Sequence, residues 1–347
     1  MKQPIFTGAW GKCHIQGIAA DLEKGYLYYS FTTKLVKAKL DGTIVGCVDG
    51  LLGHLGFIAY NKQDGRVYGS LEYKNDVIGK GILSALKKDT TIEDAFYIAI
   101  FDVDKIDRLN MDAEKDGILS TVYLSEVVSD YKNKGENRIS HRYGCSGIDG
   151  LTFGPLCGNP DSKYYLYVAY GIYSDTNRVD NNHQILLCYD IENWKQYESP
   201  LLHESMHRNG PQAPTEKYFV YTGNTTYGVQ NLEYDSAENA FFMSVYPGIK
   251  KEFPNYSLFI VDATIPPKTT ELFGLKEEGK LLCLKKSGHY HKPTGIYGWH
   301  FPHGSTGLCS LGNKKWLISE HHVSQSGQCS FLFHYVFDPM EGFILED

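Results

Sequence analysis

The sequence contains no long apolar run and no concentration of basic residues. Over 347 residues the formal net charge is −7 and the pI is about 6.0, a balance that argues against a nucleic-acid or anionic-membrane partner. No stretch approaches the roughly 20 apolar residues of a membrane-spanning helix, and the first ten residues lack the apolar segment of a secretory signal. These absences favour a cytoplasmic protein without a membrane partner.

Cysteine pairs at metal-ligand or redox spacing are also missing. Eight cysteines are scattered along the chain, no CxxC occurs, and most lie inside apolar strand patterns such as residues 186–189 (LLCY). Cysteines in such surroundings are typical of buried, reduced thiols in a cytoplasmic protein. The sequence therefore predicts no disulfide framework.

The common catalytic fingerprints are absent as well, with one formal exception. There is no P-loop, no Rossmann fingerprint and no GxSxG elbow. Residues 203–207 (HESMH) match HExxH, a zinc-protease pattern that needs a helix to place both histidines on one face. Pro200 precedes the match and Gly210-Pro211 follow it, so any helix there would be very short. We interpret both histidines as loop residues.

What the sequence does contain is a strand pattern that occurs five times. A glycine-marked apolar strand is followed each time by a turn and a tyrosine-rich strand, and the apolar strands start near residues 14, 54, 144, 228 and 304. In the first unit the pattern predicts strands at 17–20, 26–31, 34–40 and 43–48. A recurring four-stranded antiparallel unit is the signature of a propeller blade.

We predict an all-β fold with one domain spanning residues 1–347, a five-bladed β-propeller with four-stranded antiparallel blades and short helical insertions. Aromatic residues make up 14% of the chain, which favours strands over helices. Helical patterns interrupt the second unit at 82–88 and 125–131. Either residues 342–345 or residues 5–10 complete the last blade. We favour residues 5–10, because that pairing joins the chain ends and removes an open edge.

The repeat resembles the blades of NHL and SMP-30-like propellers. Residues 17–21 (GIAAD) and 25–30 (GYLYYS) are similar to the inner strand, turn and second strand of those blades. The resemblance covers the repeat across the whole chain and implies the fold. It does not imply a specific activity, because one fold hosts many functions.

Histidines gather where the central mouth of such a ring should lie. Inner strands run along the axis, so their starts and the ends of the second strands should open on the same face. Three histidines at or beside inner-strand starts are candidate metal ligands: His14, His54 and His303. Imidazoles with a neighbouring carboxylate suit Zn²⁺, Mn²⁺ or Fe²⁺, with an open position for water or substrate.

Other polar and aromatic residues are predicted to surround this cluster. The candidate catalytic residues are Glu72, Glu320, Tyr143, Tyr227 and His300. The candidate substrate-binding residues are Gln16, Gln230, Tyr170, Trp299 and His321. Together they predict a metal-dependent lyase or hydrolase that acts on a small polar or carbohydrate-like substrate.

Three alternatives remain open at this stage. One histidine could act as a general base with a tyrosine as acid, or the ring could bind a ligand or protein without catalysis. A glycoside hydrolase could use Glu72 and Glu320, as five-bladed glycosidases rely on paired carboxylates. The inner-strand starts carry no Asp or Glu, and Asp149 and Glu233 lie further along their strands, which disfavours this last alternative. Oligogalacturonate lyases are similar only in the theme of a histidine-held metal.

Overall fold

Short strands rich in aromatic and β-branched residues dominate the described chain. The structure is a computed structural model that describes residues 2–133, 140–223 and 225–346. Residues of these types fit the pleated, half-buried surface of a sheet. The strands form five antiparallel sheets around one axis, a five-bladed β-propeller, and this confirms the predicted fold class.

In blades 1 to 3, chain order is also the order from the axis to the rim. Blade 1 consists of Ile15–Asp21, Tyr26–Phe31, Lys34–Lys39 and Ile44–Asp49. Blade 2 consists of His54–Asn61, Arg66–Tyr73, Ala95–Phe101 and Leu119–Tyr123. Blade 3 consists of Cys145–Gly154, Tyr165–Ile172, His183–Tyr189 and Glu216–Tyr221.

Blades 4 and 5 have fewer consecutive strands. Blade 4 consists of Val229–Asp235, Ala240–Val245 and Leu258–Asp262, and blade 5 of Leu308–Gly312, Lys315–Ser324 and Gly327–Asp338. Short strands extend the rims of blades 1 to 3: Met111–Asp112, Ser199–Pro200, Glu278–Leu282 and Lys268–Glu271. A separate hairpin pairs His289–His291 with Ile296–Gly298.

The two ends of the chain close the ring together. Strand Ile5–Ala9 pairs antiparallel with Gly327–Asp338 and forms an outer strand of blade 5. Strand Gly342–Leu345 pairs with the C-terminal end of that same strand. Both predicted completions of the last blade therefore occur, each covering a different part of an edge that would otherwise be open.

Helices are confined to short insertions in blade 2 and to single turns. The α-helices of the described chain are α1 (Val77–Ala85) and α2 (Ser125–Lys132), and the 3₁₀ turns are Val103–Lys105, Arg142–Gly144 and Trp194–Gln196. Helix α1 begins before its predicted position because the Asp76 carboxylate caps it by accepting a hydrogen bond from the Gly79 N–H. Within the described residues, no helix is long and apolar enough to cross a membrane.

Two predictions about local chemistry are confirmed. Residues 203–207 contain no helix, and both of their histidines contact hydroxyl groups of blade 2. His203 Nε2 lies 3.2 Å from the Tyr73 hydroxyl, and His207 Nε2 lies 2.8 Å from the Thr121 hydroxyl. All eight cysteines are free thiols, and six of them are buried.

The inner strands of blades 1 and 2 approach so closely that Gly17 has no room for a side chain. A Cβ at this position would lie 2.7 Å from Phe57 Cδ2 and 2.9 Å from the Ile58 nitrogen. We expect Gly17→Ala to lower the free energy of unfolding by about 1–3 kcal/mol, because the backbone of blade 2 must shift. Urea denaturation followed by circular dichroism measures the effect.

Gly81 in helix α1 provides a matched control, since a Cβ there would meet nothing within 4 Å. Gly81→Ala should raise the free energy of unfolding by about 0.5–1 kcal/mol, the ordinary helix-propensity gain. Equal effects of the two substitutions would refute the close inner-strand contact.

Candidate functional site

Two strand ends of blade 2 bring His54 and Glu72 together. His54 is the first residue of the inner strand, Glu72 lies near the end of the second strand, and the antiparallel register places them directly opposite each other. Side-chain exposure is 13% for His54 and 3% for Glu72. In this blade, inner-strand start and second-strand end therefore open on one mouth, as the repeat pattern predicts.

A β-bulge in blade 3 adds a third side chain, that of Asp149. Between Ile148 and Leu151 the inner strand carries one residue more than the strand beside it. Bulges re-aim the side chain of the extra residue. The Asp149 carboxylate accordingly faces His54 across the mouth, although Asp149 lies further along its strand than the predicted site positions.

The three side chains form a close group around one buried nitrogen. His54 Nδ1 lies 3.6 Å from Glu72 Oε1 and 3.8 Å from Asp149 Oδ1, and one potential ligand atom from each residue lies within 4.8 Å of the other two. These separations exceed hydrogen-bond length, and His54 Nδ1 is buried without a hydrogen-bond partner. In the described part of the chain no other trio of His, Cys, Asp or Glu ligand atoms comes this close.

Lys74 brings a positive charge to the group. Its ammonium lies 2.6 Å from Glu72 Oε1 and donates a hydrogen bond to the Ser146 carbonyl at 2.9 Å. The other Glu72 oxygen accepts a hydrogen bond from the Ile148 N–H at 3.1 Å. The Glu72 carboxylate is thus fixed from both sides, and Gly147 leaves space for it, since a Cβ there would collide with Oε2.

Burial dominates the protonation of the group. It raises the pKa of Glu72 and of Asp149 above their usual range, and the positive charge of Lys74 opposes both effects. Burial also lowers the pKa of Lys74, but the two carboxylates outweigh it and keep that pKa above its ordinary value. Burial, with Lys74 and His14, lowers the pKa of His54 to about 3. At neutral pH, His54 is therefore a neutral imidazole.

Two predicted substrate-binding residues lie in the wall of this mouth. Gln230 Nε2 donates hydrogen bonds to Asp149 Oδ2 at 3.1 Å and to the Tyr227 carbonyl at 3.0 Å. Gln16 Nε2 lies 3.0 Å from His14 Nε2. Gln230 consequently fixes the orientation of Asp149, and Gln16 fixes that of His14.

The remaining predicted histidines of the mouth lie outside the close group. The rings of His14 and His321 meet edge to face at 6.0 Å, and His303 Nε2 lies 3.6 Å from Glu320 Oε1. That Glu320 oxygen also accepts a hydrogen bond from the Tyr335 hydroxyl at 2.9 Å. Of the three predicted metal ligands, only His54 belongs to the trio with two carboxylates.

Three predicted aromatic site residues are instead buried in packing. Tyr143 and Trp299 are each 4% exposed and Tyr170 is fully buried. The Tyr170 hydroxyl donates to Asp130 at 2.8 Å, and Trp299 Nε1 donates to the Met340 carbonyl at 3.2 Å. Aromatic residues at strand ends can pack between layers as readily as they can face a channel, and these three rings offer no free face to a substrate.

Tyr227, His300 and His321 are the exposed members of the predicted set. Tyr227 packs edge-on against Tyr246 at 5.6 Å, and its backbone carbonyl belongs to the Gln230 contact described above. His300 is exposed and its ring lies 5.0 Å from that of Tyr256. Tyr227 therefore lies beside Gln230 at the mouth, whereas His300 packs against Tyr256, next to the third strand of blade 4.

Sequence reasoning left Asp149 and Lys74 out of the site. The signal for Lys74 is its position two residues after Glu72, because alternate residues of a strand share a face. The signal for Asp149 is weaker: Asp149-Gly150 interrupts the apolar inner strand of blade 3, as a bulge often does.

A third inner-strand carboxyl group, that of Glu233, lies apart from the trio. Its oxygens accept hydrogen bonds from the Ser310 N–H at 3.0 Å and the Thr152 hydroxyl at 3.3 Å. Burial raises the pKa of Glu233 to about 8. In the unfolded chain the pKa of this group is near 4.3. Between this pH and about 8, Glu233 is therefore protonated in the folded chain and ionised in the unfolded chain.

This difference predicts a pH dependence of stability. Because the folded state binds the extra proton, the contribution of Glu233 to the free energy of unfolding falls as pH rises from about 4.5 to about 8. Glu233→Gln cannot ionise at this position. Between pH 5 and pH 7.5, its free energy of unfolding should therefore rise by about 3 kcal/mol relative to that of the wild type. Urea titrations of both proteins at several pH values measure it, and parallel curves would contradict the assignment.

The comparisons with known proteins find only weak structural likenesses. No family model matches the chain, and no curated protein matches its sequence significantly. The PQQ domain of pyranose dehydrogenase from Coprinopsis cinerea matches with a TM-score of 0.42 and 10% identity, over 92% of this chain and 82% of that one. A GH43 β-1,3-galactosidase solved with galactodeoxynojirimycin matches with a TM-score of 0.44 and 10% identity, over 98% and 97%.

A gluconolactonase from Xanthomonas campestris matches with a TM-score of 0.34 and 9% identity, over 96% of this chain and 94% of that one. Structural likenesses this weak do not indicate an activity for this chain.

Proposed function

We propose that the protein is a metal-dependent enzyme, a hydrolase or lyase, which binds one divalent cation at the central mouth through His54, Glu72 and Asp149. The observation that carries this proposal is the buried Nδ1 of His54, which lacks a hydrogen-bond partner and faces two carboxylates. A buried polar atom without a partner costs free energy unless something else binds it.

The spacing of the group supports a cation between its members. Two atoms that each lie about 2.1 Å from one ion are roughly 3.0–4.2 Å apart, depending on the angle between the bonds. The separations of 3.6 and 3.8 Å from His54 Nδ1 fall within this range. One imidazole and two carboxylates are a donor set that suits Zn²⁺, Mn²⁺ or Fe²⁺.

The surrounding residues support hydrolysis or elimination. A bound divalent ion would supply an acidified water or polarise a substrate oxygen. Asp149 would hold the ion through one oxygen, and its other oxygen, which Gln230 orients, can accept a proton from a substrate carbon or from a water molecule in the mouth. Lys74 neutralises Glu72 and keeps that carboxylate in place.

The wall of the mouth favours a small polar substrate such as a sugar derivative. It presents His14, Gln16 and Gln230 as hydrogen-bonding groups, and Tyr227 as an exposed ring against which a flat or sugar face can stack. Hydroxyl-rich ligands match such a combination of polar groups and one aromatic surface.

Calorimetric titration of tag-free, chelator-treated protein with MnCl₂ and ZnCl₂ tests the metal site. We expect one ion per chain. Turnover should then be sought with aryl glycosides, aldonolactones and uronate oligosaccharides, and an active substrate should lose its turnover in chelator and regain it with the metal. Absence of binding for both metals would refute the proposal.

A second candidate function is a metal-independent glycoside hydrolase that uses Glu72 and Asp149. The observation that favours it is the Lys74 ammonium, which supplies a positive charge beside the two carboxylates. Burial raises the pKa of both carboxyl groups, as a general acid requires. This pair replaces the predicted pair of Glu72 with Glu320, because Glu320 lies with His303 and Tyr335. Glycoside cleavage that persists in chelator but is lost in Asp149→Asn would select this candidate.

A further inference from the structure

A second cavity opens at the other end of the inner strands. It has a volume of about 480 Å³ and is lined by residues from all five blades. The inner strand of blade 2 starts with His54 at the first mouth and ends with Asn61 in the wall of this cavity. Eight strand residues span about 23 Å, so the cavity is a separate site and not an extension of the candidate metal group.

One carboxyl group, that of Glu233, lies in the cavity wall, and each of its two oxygens has a hydrogen-bond donor beside it. The Thr152 oxygen accepts a hydrogen bond from the Tyr234 N–H at 3.2 Å, so its own proton is free to go to Glu233 Oε2. The Ser310 N–H donates to Oε1 at 3.0 Å. Both oxygens of Glu233 therefore accept hydrogen bonds, an arrangement that also suits the carboxylate. Burial keeps the proton on Glu233 while the cavity is empty, and a cation in the cavity would favour its release to solvent.

The charges around Glu233 leave this carboxylate without full compensation. Asp235 lies close by and accepts a hydrogen bond from the Ser310 hydroxyl at 2.6 Å. Lys62 is an exposed residue at the cavity rim, so water screens its charge. Two acidic groups thus face one solvated lysine, and a positive charge inside the cavity would complete the balance.

The rest of the wall is suited to the apolar part of a ligand. Tyr60, Phe153 and Tyr164 contribute aromatic rings, and Ile18 and Ile58 contribute aliphatic surface. Aromatic rings attract organic cations that lie within about 6 Å of their faces. The volume is in the range of small-molecule sites, which span about 300–1,000 Å³.

We propose that this cavity binds a small organic ammonium ion, with the Glu233 carboxylate as its counter-charge and the aromatic rings around its alkyl groups. The site is independent of the activity proposed for the other mouth. A neutral hydrogen-bonding ligand would use the protonated form of Glu233 instead, and the two chemistries are separable by a charged probe and its neutral isostere.

Calorimetry with choline and with 3,3-dimethylbutan-1-ol, its uncharged isostere, tests the proposal in buffer that contains chelator. Wild-type protein should bind choline at least about tenfold more tightly than the alcohol. Glu233→Gln should lose that preference by weakening choline alone. Glu252→Gln, which removes an exposed carboxylate of blade 4, should leave both affinities unchanged.

Lys62→Gln provides a second variant that does not alter the interior. It should change choline binding less than about threefold, because Lys62 repels a bound cation but also stabilises the Glu233 carboxylate. The proposal is overturned if neither probe binds, if the alcohol binds as tightly as choline, or if Glu233→Gln retains the preference for choline.

Discussion

Replacing His54 with alanine is expected to lower the affinity for Mn²⁺ or Zn²⁺ by at least about a hundredfold, or about 2.7 kcal/mol of binding free energy. Loss of a residue that merely orients a metal ligand typically costs 10- to 100-fold, and His54 is assigned as a ligand itself. His54 provides the one nitrogen ligand of the trio. Because its Nδ1 has no hydrogen-bond partner, the substitution breaks no hydrogen bond of this atom. The measurement is calorimetric titration of chelator-treated protein.

His303→Ala is the matched control for this prediction. His303 lies at the mouth of blade 5, 3.6 Å from Glu320 and outside the close trio, so its removal should change the metal affinity less than threefold. A loss as large as that of His54→Ala would move the ion to the His303–Glu320 side and contradict the assigned ligand set.

The second large effect concerns the buried pair of Glu72 and Lys74. Their side chains are 3% and 5% exposed, and the two charged atoms lie 2.6 Å apart. Removing one partner of a buried pair typically costs 3–5 kcal/mol, because an uncompensated charge remains. In the presence of chelator, Glu72→Leu and Lys74→Met should therefore each lower the free energy of unfolding by about 3–5 kcal/mol. The double variant should lose less free energy of unfolding than the two single variants lose together.

Metal should distinguish these two variants. Lys74→Met leaves the Glu72 and Asp149 carboxylates, which a divalent cation can neutralise, so saturating Mn²⁺ should restore most of its stability. Glu72→Leu leaves the Lys74 ammonium and lacks a ligand, so Mn²⁺ should restore little. Urea denaturation with and without Mn²⁺ measures both, and equal responses to the metal would contradict the proposed role of Glu72.

The blades could be predicted from the sequence because their signals are local. In blade 1 the residues predicted as the second strand, 26–31, are the observed strand Tyr26–Phe31. The pairing of residues 5–10 with the last blade is predictable, because these residues carry a strand pattern and the last blade lacks a further strand of its own. Helix α1 was misplaced because its start depends on the Asp76 side-chain cap, and the apolar pattern that suggested 82–88 does not reveal that cap.

The candidate site was predictable only where it follows from strand register. The repeat pattern identifies both His54 and Glu72, because an inner-strand start and a second-strand end must meet in an antiparallel blade. Asp149 was missed because a bulge turns its side chain, and a repeat alignment assumes regular strands. Tyr170 and Trp299 were assigned to the mouth by position alone, but the layers of the ring bury them in packing.

Anomalous diffraction from crystals grown with Mn²⁺ tests the central claim most directly. The proposed site predicts one strong peak at the mouth, about 2.0–2.3 Å from His54 Nδ1 and from one oxygen each of Glu72 and Asp149. A mouth without a peak under saturating Mn²⁺, or a peak held by other residues, would contradict it.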